Sequence, residues 1–170
     1  MHGEEDPSFL RMTNILRCFK TKINNKNNYN MEKLTVHVQI KFKAPAAKVW
    51  QGLTDPAMVK AYFFGTDLES TWRVGEPIKF SGEWDGHKYE DKGTILEIDP
   101  GKFVTYSYWS SMGGTEDKPE NYANISYDLD EKDGETTLTI TQDNVKNQDA
   151  KEHSEQNWKG MFEGLRKMIE

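Results

Sequence analysis

A single cysteine, Cys18, is all the chain contains in 170 residues, so no disulfide can form within it and no multi-cysteine zinc site can be built. No run of about 18 apolar residues occurs, which excludes a helical membrane span. Basic charge is in deficit: 22 Lys and Arg stand against 28 Asp and Glu, for a net charge of −6. A general nucleic-acid binder needs a basic face to neutralise phosphates, and docking on an anionic membrane needs the same, so neither partner is expected. Histidine is scarce too. His2, His37, His87 and His153 are too far apart to form a zinc-helix motif, and no metal site is expected. A Gly-x-Ser-x-Gly elbow, a phosphate loop and a dinucleotide fingerprint are all missing, so neither a cofactor nor a catalytic set is identified. The N-terminus, Met1-His2-Gly3-Glu4-Glu5-Asp6, lacks the basic and apolar regions of a signal peptide, and a cytoplasmic setting is expected.

Apolar residues make up only 35% of the chain, yet aromatics reach 12%. A few large rings can therefore carry much of the burial. Residues 1–30 hold five basic and three acidic residues and end in the polar run Asn24-Asn25-Lys26-Asn27-Asn28-Tyr29-Asn30. They read as a flexible extension, in which Met12, Ile15, Leu16, Phe19 and Ile23 have helical spacing. Residues 31–170 read as one domain.

Within that domain Leu34, Val36, Val38, Ile40 and Phe42 alternate with polar residues, which predicts a half-buried strand. Ala46–Leu53 reads as a short helix. Asp55 and Pro56 then supply the cap and first position of a second helix running to about Tyr62. Further strands are expected at 67–72, 77–84, 87–98, 102–111, 121–130 and 135–142. The turns Asp85-Gly86, Asp99-Pro100-Gly101 and Asp133-Gly134 join neighbours closely enough to make the sheet antiparallel. From about Asp149 a long helix carries Trp158, Met161, Phe162, Leu165, Met168 and Ile169 along one side. One apolar sheet face and one apolar helix stripe predict an α+β domain with the helix laid across the sheet.

Three stretches sharpen this. They are Ala44-Pro45-Ala46-Ala47-Lys48-Val49-Trp50 with Leu53-Thr54-Asp55-Pro56, then Gly93–Pro100 followed by Phe103–Trp109, and finally Trp158–Leu165. Together they resemble the Hsp90 ATPase activator homologue family of the SRPBCC, START and Bet v 1 helix-grip superfamily, over about residues 33–169. The resemblance implies a helix-grip fold, a curved antiparallel sheet wrapped on a long C-terminal helix. It also implies a cavity between sheet and helix for a small apolar, aromatic or lipid-like molecule, and the family name suggests a chaperone or other protein partner and a link to stress response.

The residues expected at such a cavity are Trp50, Tyr62, Phe64, Phe80, Trp84, Tyr106, Tyr108, Trp109, Trp158, Met161, Phe162 and Leu165. Alternation allows either Tyr106 with Tyr108, or Ser107 with Trp109, to face the helix. A lined pocket of several hundred Å3 and an ordinary filled core both fit these rings. Gly160 and Gly164 fit either ligand space or close helix packing. Acid–base chemistry of a cyclase or hydrolase type would need an inward carboxylate, for which Asp67, Glu69, Glu83 and Glu90 are placed by position alone, although the strand pattern puts Glu83 outside, opposite to Phe80 and Trp84. A protein-interaction module would instead show an exposed apolar patch or a free loop at Ser111–Pro119.

Overall fold

The structure, a computed structural model, describes residues 33–170. The extension and its helical spacing lie outside the described residues. The elements in chain order are β1 (Leu34–Phe42), α1 (Ala46–Thr54), α2 (Pro56–Tyr62), β2 (Asp67–Ser70), β3 (Pro77–Trp84), β4 (His87–Asp99) and β5 (Phe103–Ser110). A 3-10 turn at Pro119–Asn121 follows, then β6 (Ala123–Lys132), β7 (Glu135–Val145) and α3 (Gln148–Ile169).

The seven strands form one antiparallel sheet in the order β1-β7-β6-β5-β4-β3-β2. Strands β2 to β7 are a meander, with tight turns between β3 and β4, β4 and β5, and β6 and β7, and longer connections at 71–76 and 111–122. In the first of these turns, Asp85 and Gly86 both take positive φ, 46° and 74°, the type I′ geometry that matches strand twist. Strand β1 breaks the sequential order. It crosses to the far edge and pairs with β7, Val38 opposite Ile140 and Phe42 opposite Thr136. The two short helices make that crossing. Asp55 starts the second of them, its carboxylate accepting from the Ala57 and Met58 amides at 2.8 and 3.1 Å. Pro45 stands at the cap of α1, just before its first turn.

The sheet is bent around its concave face at β4. The β4–β5 register slips between Ile95 and Glu97. At Gly93 the carbonyl of Ser107 occupies the place a Cβ would need, so only glycine allows the strands to approach there. Into the concavity project Val36, Val38, Ile78, Ile95, Val104, Leu138 and Ile140, all buried. Helix α3 packs on β1, β7 and both short helices and adds Phe162, Leu165 and Ile169, each at most 3% exposed. Asn147 caps its start by accepting from the Ala150 amide. The contact of α1 with α3 depends on Gly52, where a Cβ would run into the Leu165 methyls. This is the helix-grip arrangement. Among the described residues no helix is long and apolar enough to cross a membrane.

Candidate functional site

The space between the concave sheet and α3 is a cleft of about 90 Å3. Its far wall is sheet, with Ile78 and Phe80 from β3, Tyr106 and Tyr108 from β5, and Ile125 and Tyr127 from β6. Its near wall is helix, with Leu53, Val59, Tyr62, Trp158 and Met161. Phe63 and Trp72 complete it from the turns on either side of β2, and Gln142, Ser154 and Asn157 add polar groups. The volume falls short of the several hundred Å3 expected, because rings fill the concavity edge to face. Tyr106 meets Tyr127 at 5.7 Å between centroids, Tyr127 meets Trp158 and Phe162 at 5.9 Å, and Trp158 stacks on Phe162 at 5.9 Å. What remains is of the order of the apolar cavity, roughly 150 Å3, that accepts a single benzene ring.

Six of the twelve expected residues line this cleft: Tyr62, Phe80, Tyr106, Tyr108, Trp158 and Met161. The alternation in β5 resolves in favour of Tyr106 and Tyr108. Trp109 therefore lies on the outer face, opposite Lys92, whose ammonium sits 5.6 Å from the centre of its ring. Phe162 and Leu165 are fully buried behind the lining. Trp50 is half-buried at the edge of the core. Phe64 lies in the turn after α2, and Trp84 at the tip of the β3–β4 hairpin beside Asp85. Gly164 is a packing position, since a Cβ there would reach within 3.3 Å of the Tyr62 Cβ.

Tyr127 and Trp72 were not expected. Tyr127 carried a legible signal, since it alternates with Ile125 in β6. Trp72 carried none: the strand expected to reach it stops at Ser70, and its φ of 55° turns the ring back over the cleft. A bulky side chain in that backbone region is strained by roughly 1–3 kcal/mol, and such strain gathers at binding sites.

The inward carboxylate is also a different one. Asp67, Glu69, Glu83 and Glu90 are all exposed, because each falls on the solvent side of its strand. Asp91, which pairs with Phe80 and Ser110, is 8% exposed on the concave side. It accepts from the Tyr108 hydroxyl at 2.6 Å and from the Ser111 amide at 3.2 Å. Burial pushes its pKa above the usual 3.8, although hydrogen bonds from Tyr108, Ser110 and Ser111 pull the other way. The folded state thus holds the Asp91 proton more tightly than the unfolded chain does. Its contribution to stability is full below pH 3.8, shrinks as pH rises through the folded value, and is flat above. The Asp91→Asn protein should lack this component. The melting temperature of wild type relative to the variant should fall as pH rises from about 3 to about 7, and parallel profiles would rule the effect out.

Burial likewise raises Tyr62, Tyr106, Tyr108 and Tyr127 above the ordinary phenol value. All four are protonated at neutral pH and act as hydrogen-bonding groups rather than bases. No group of three or more metal-ligating side chains occurs among the described residues. The Ser111–Pro119 segment is tied down rather than free. Asp117 accepts from Tyr122 and pairs with Lys92, and Ser111 is bonded to Asp91.

A family model described as Activator of Hsp90 ATPase homolog 1-like protein matches residues 43–170. Among solved structures, a solution structure from Cytophaga hutchinsonii is similar at 40% identity and TM-score 0.73, covering 82% of this chain and 96% of that one. A Mesorhizobium loti protein is similar at 20% identity and TM-score 0.65, covering 80% and 96%. The Aha1 dimer from Colwellia psychrerythraea is similar at 21% identity and TM-score 0.63, covering 81% and 96%. No curated protein matches the chain.

Proposed function

This chain belongs to the family of Activator of Hsp90 ATPase homolog 1-like proteins, and from that premise we propose that it binds a small hydrophobic or amphipathic molecule in the cleft between its sheet and C-terminal helix. The observation that carries this reading is the lining. It is aromatic and aliphatic on every side, with a few polar groups fixed in place, the composition of a small-molecule site. The strained Trp72 at the cleft supports it. A protein-interaction reading has less to stand on. Exposed large apolar side chains among the described residues are Val74 in the β2–β3 turn, Leu96 on β4 and Met168 on α3, and the expected free loop is held by hydrogen bonds. With its phenols protonated and no inward base opening on the cleft, the site fits binding better than turnover.

The test is a titration of the isotopically labelled protein with ethylbenzene, followed by amide and indole N–H shifts. At about 0.6 kcal/mol per heavy atom the Kd should fall at roughly 0.1–1 mM. Shifts should centre on Trp158, Trp72 and Ile125. Met161→Trp puts a ring into the cleft and should weaken binding at least about tenfold with the fold retained. Shifts scattered over the surface, or binding unaffected by the filled cleft, would remove the reading.

A further inference from the structure

Three aromatic donors at the cleft can each be followed to an acceptor. Tyr62 donates to the Gly52 carbonyl at 3.0 Å, Tyr108 to Asp91 at 2.6 Å, and the Trp158 indole N–H to Gln142 at 2.9 Å. Tyr106 and Tyr127 differ. Their hydroxyl oxygens lie 2.8 Å apart, and neither has another hydrogen-bond partner among the described residues. A phenol brings one proton and two lone pairs. Between two phenols only one proton can lie in the hydrogen bond, so the other is left without an acceptor. Both residues are buried, at 2% and 7% exposure, and both line the cleft. Buried hydroxyl protons are rarely left unspent, because a donor removed from water and given no partner is costly.

We infer that the spare proton of the Tyr106–Tyr127 pair is the recognition element of the site, and that its ligand is a neutral, largely apolar molecule bearing a carbonyl oxygen. The inference rests on the ligand-binding reading above and names the ligand class for it. The carbonyl accepts from whichever hydroxyl does not donate within the pair, while the apolar body meets the surrounding rings. Neutrality follows from the lining, which holds no lysine, arginine or histidine. A carboxylate there would be desolvated with no counter-charge. A hydroxyl could also accept that proton, but it brings a further buried proton that needs an acceptor of its own, which a carbonyl does not.

Three probes of matched size separate a carbonyl ligand from a hydrocarbon and a carboxylate: acetophenone, ethylbenzene and benzoate, each titrated into the wild-type protein. Acetophenone should bind three- to tenfold tighter than ethylbenzene, the worth of one neutral hydrogen bond, and benzoate weakest of the three. The variants sharpen the expectation. In Tyr106→Phe or Tyr127→Phe alone, the surviving hydroxyl still has a proton to give, so the preference for acetophenone persists. In the double variant it vanishes, and acetophenone and ethylbenzene bind alike. Equal binding of acetophenone and ethylbenzene by wild type would overturn the inference and leave the apolar site standing. So would a preference surviving in the double variant, or benzoate binding as well as acetophenone. If neither neutral probe binds, the ligand-binding reading itself falls, and this inference with it. The wild-type comparison needs no variant, so a folding defect in the double replacement leaves the test decisive.

Discussion

Replacing Phe162 by alanine should cost about 3–5 kcal/mol of folding stability, the range for a fully buried phenylalanine. The ring is 0% exposed and joins helix to sheet. It stacks on Trp158 with 8° between the planes, meets Tyr127 edge-on at 89°, and contacts Tyr62 at 6.0 Å between centroids. These three neighbours cannot readily close the gap. Tyr62 is held by its bond to Gly52, Trp158 by its bond to Gln142, and Tyr127 by its bond to Tyr106. The site can therefore relax only partly, which puts the cost in the upper part of the range for such truncations. Urea unfolding with linear extrapolation reads the difference directly. Phe162→Leu should cost clearly less, since it keeps most of the volume. A loss below about 1 kcal/mol for the alanine variant would mean that the rings repack, and that the cleft wall is softer than its hydrogen bonds imply.

Phe162 also shows how far sequence carries the site. Its place on the inner stripe of the last helix follows from the spacing of Trp158, Phe162, Leu165 and Ile169. Strand β1 was legible to the residue, because five apolar positions alternate without a break from Leu34 to Phe42. The cap at Asp55 and the turns at 85–86 and 133–134 were equally plain, since each needs a residue type that the sequence supplies. These are local signals.

What was not legible depends on contacts distant along the chain. Alternation in β5 says that Tyr106 and Tyr108 share a face, but not which face. The pairing of Lys92 with Trp109 and of Asp91 with Ser110 settles that. The same pairings turn Asp91 inward, whereas position alone suggests Glu90 beside it. Strand β2 ends early because Trp72 takes a left-handed backbone, and a tryptophan is the wrong residue from which to expect that. The meeting of β1 with β7 closes the sheet between elements a hundred residues apart, as in the pair Gln39 and Thr139. Nothing in either strand's own pattern selects the other. The family resemblance supplied the arrangement that local pattern could not.

The second large effect lies in the Tyr106–Tyr127 pair, and its form matters more than its size. Each single replacement by phenylalanine removes one oxygen and strands the other hydroxyl in a buried, apolar setting. Leaving a buried hydroxyl without a partner costs about 1–3 kcal/mol, so each single variant should be destabilised by about that amount. The double variant removes both oxygens together. It gives up one hydrogen bond of about 1 kcal/mol net and leaves nothing stranded. Its cost should therefore be no greater than that of either single change, and well short of their sum. The interaction energy from a double-mutant cycle should come out at about 1–5 kcal/mol in favour of the pair. The alternative is that each hydroxyl is satisfied independently of its neighbour, in which case the two costs add. Additivity within about 0.5 kcal/mol would mean the 2.8 Å contact is not the bond that holds them. A strong coupling would show that the two hydroxyls act as a unit, and a unit of two phenols has one proton more than it can use. The same measurement repeated with saturating acetophenone extends the argument. The ligand takes up the spare proton in wild type and in both single variants, but not in the double. The coupling should shrink, because each single variant is rescued by the acceptor it lacked.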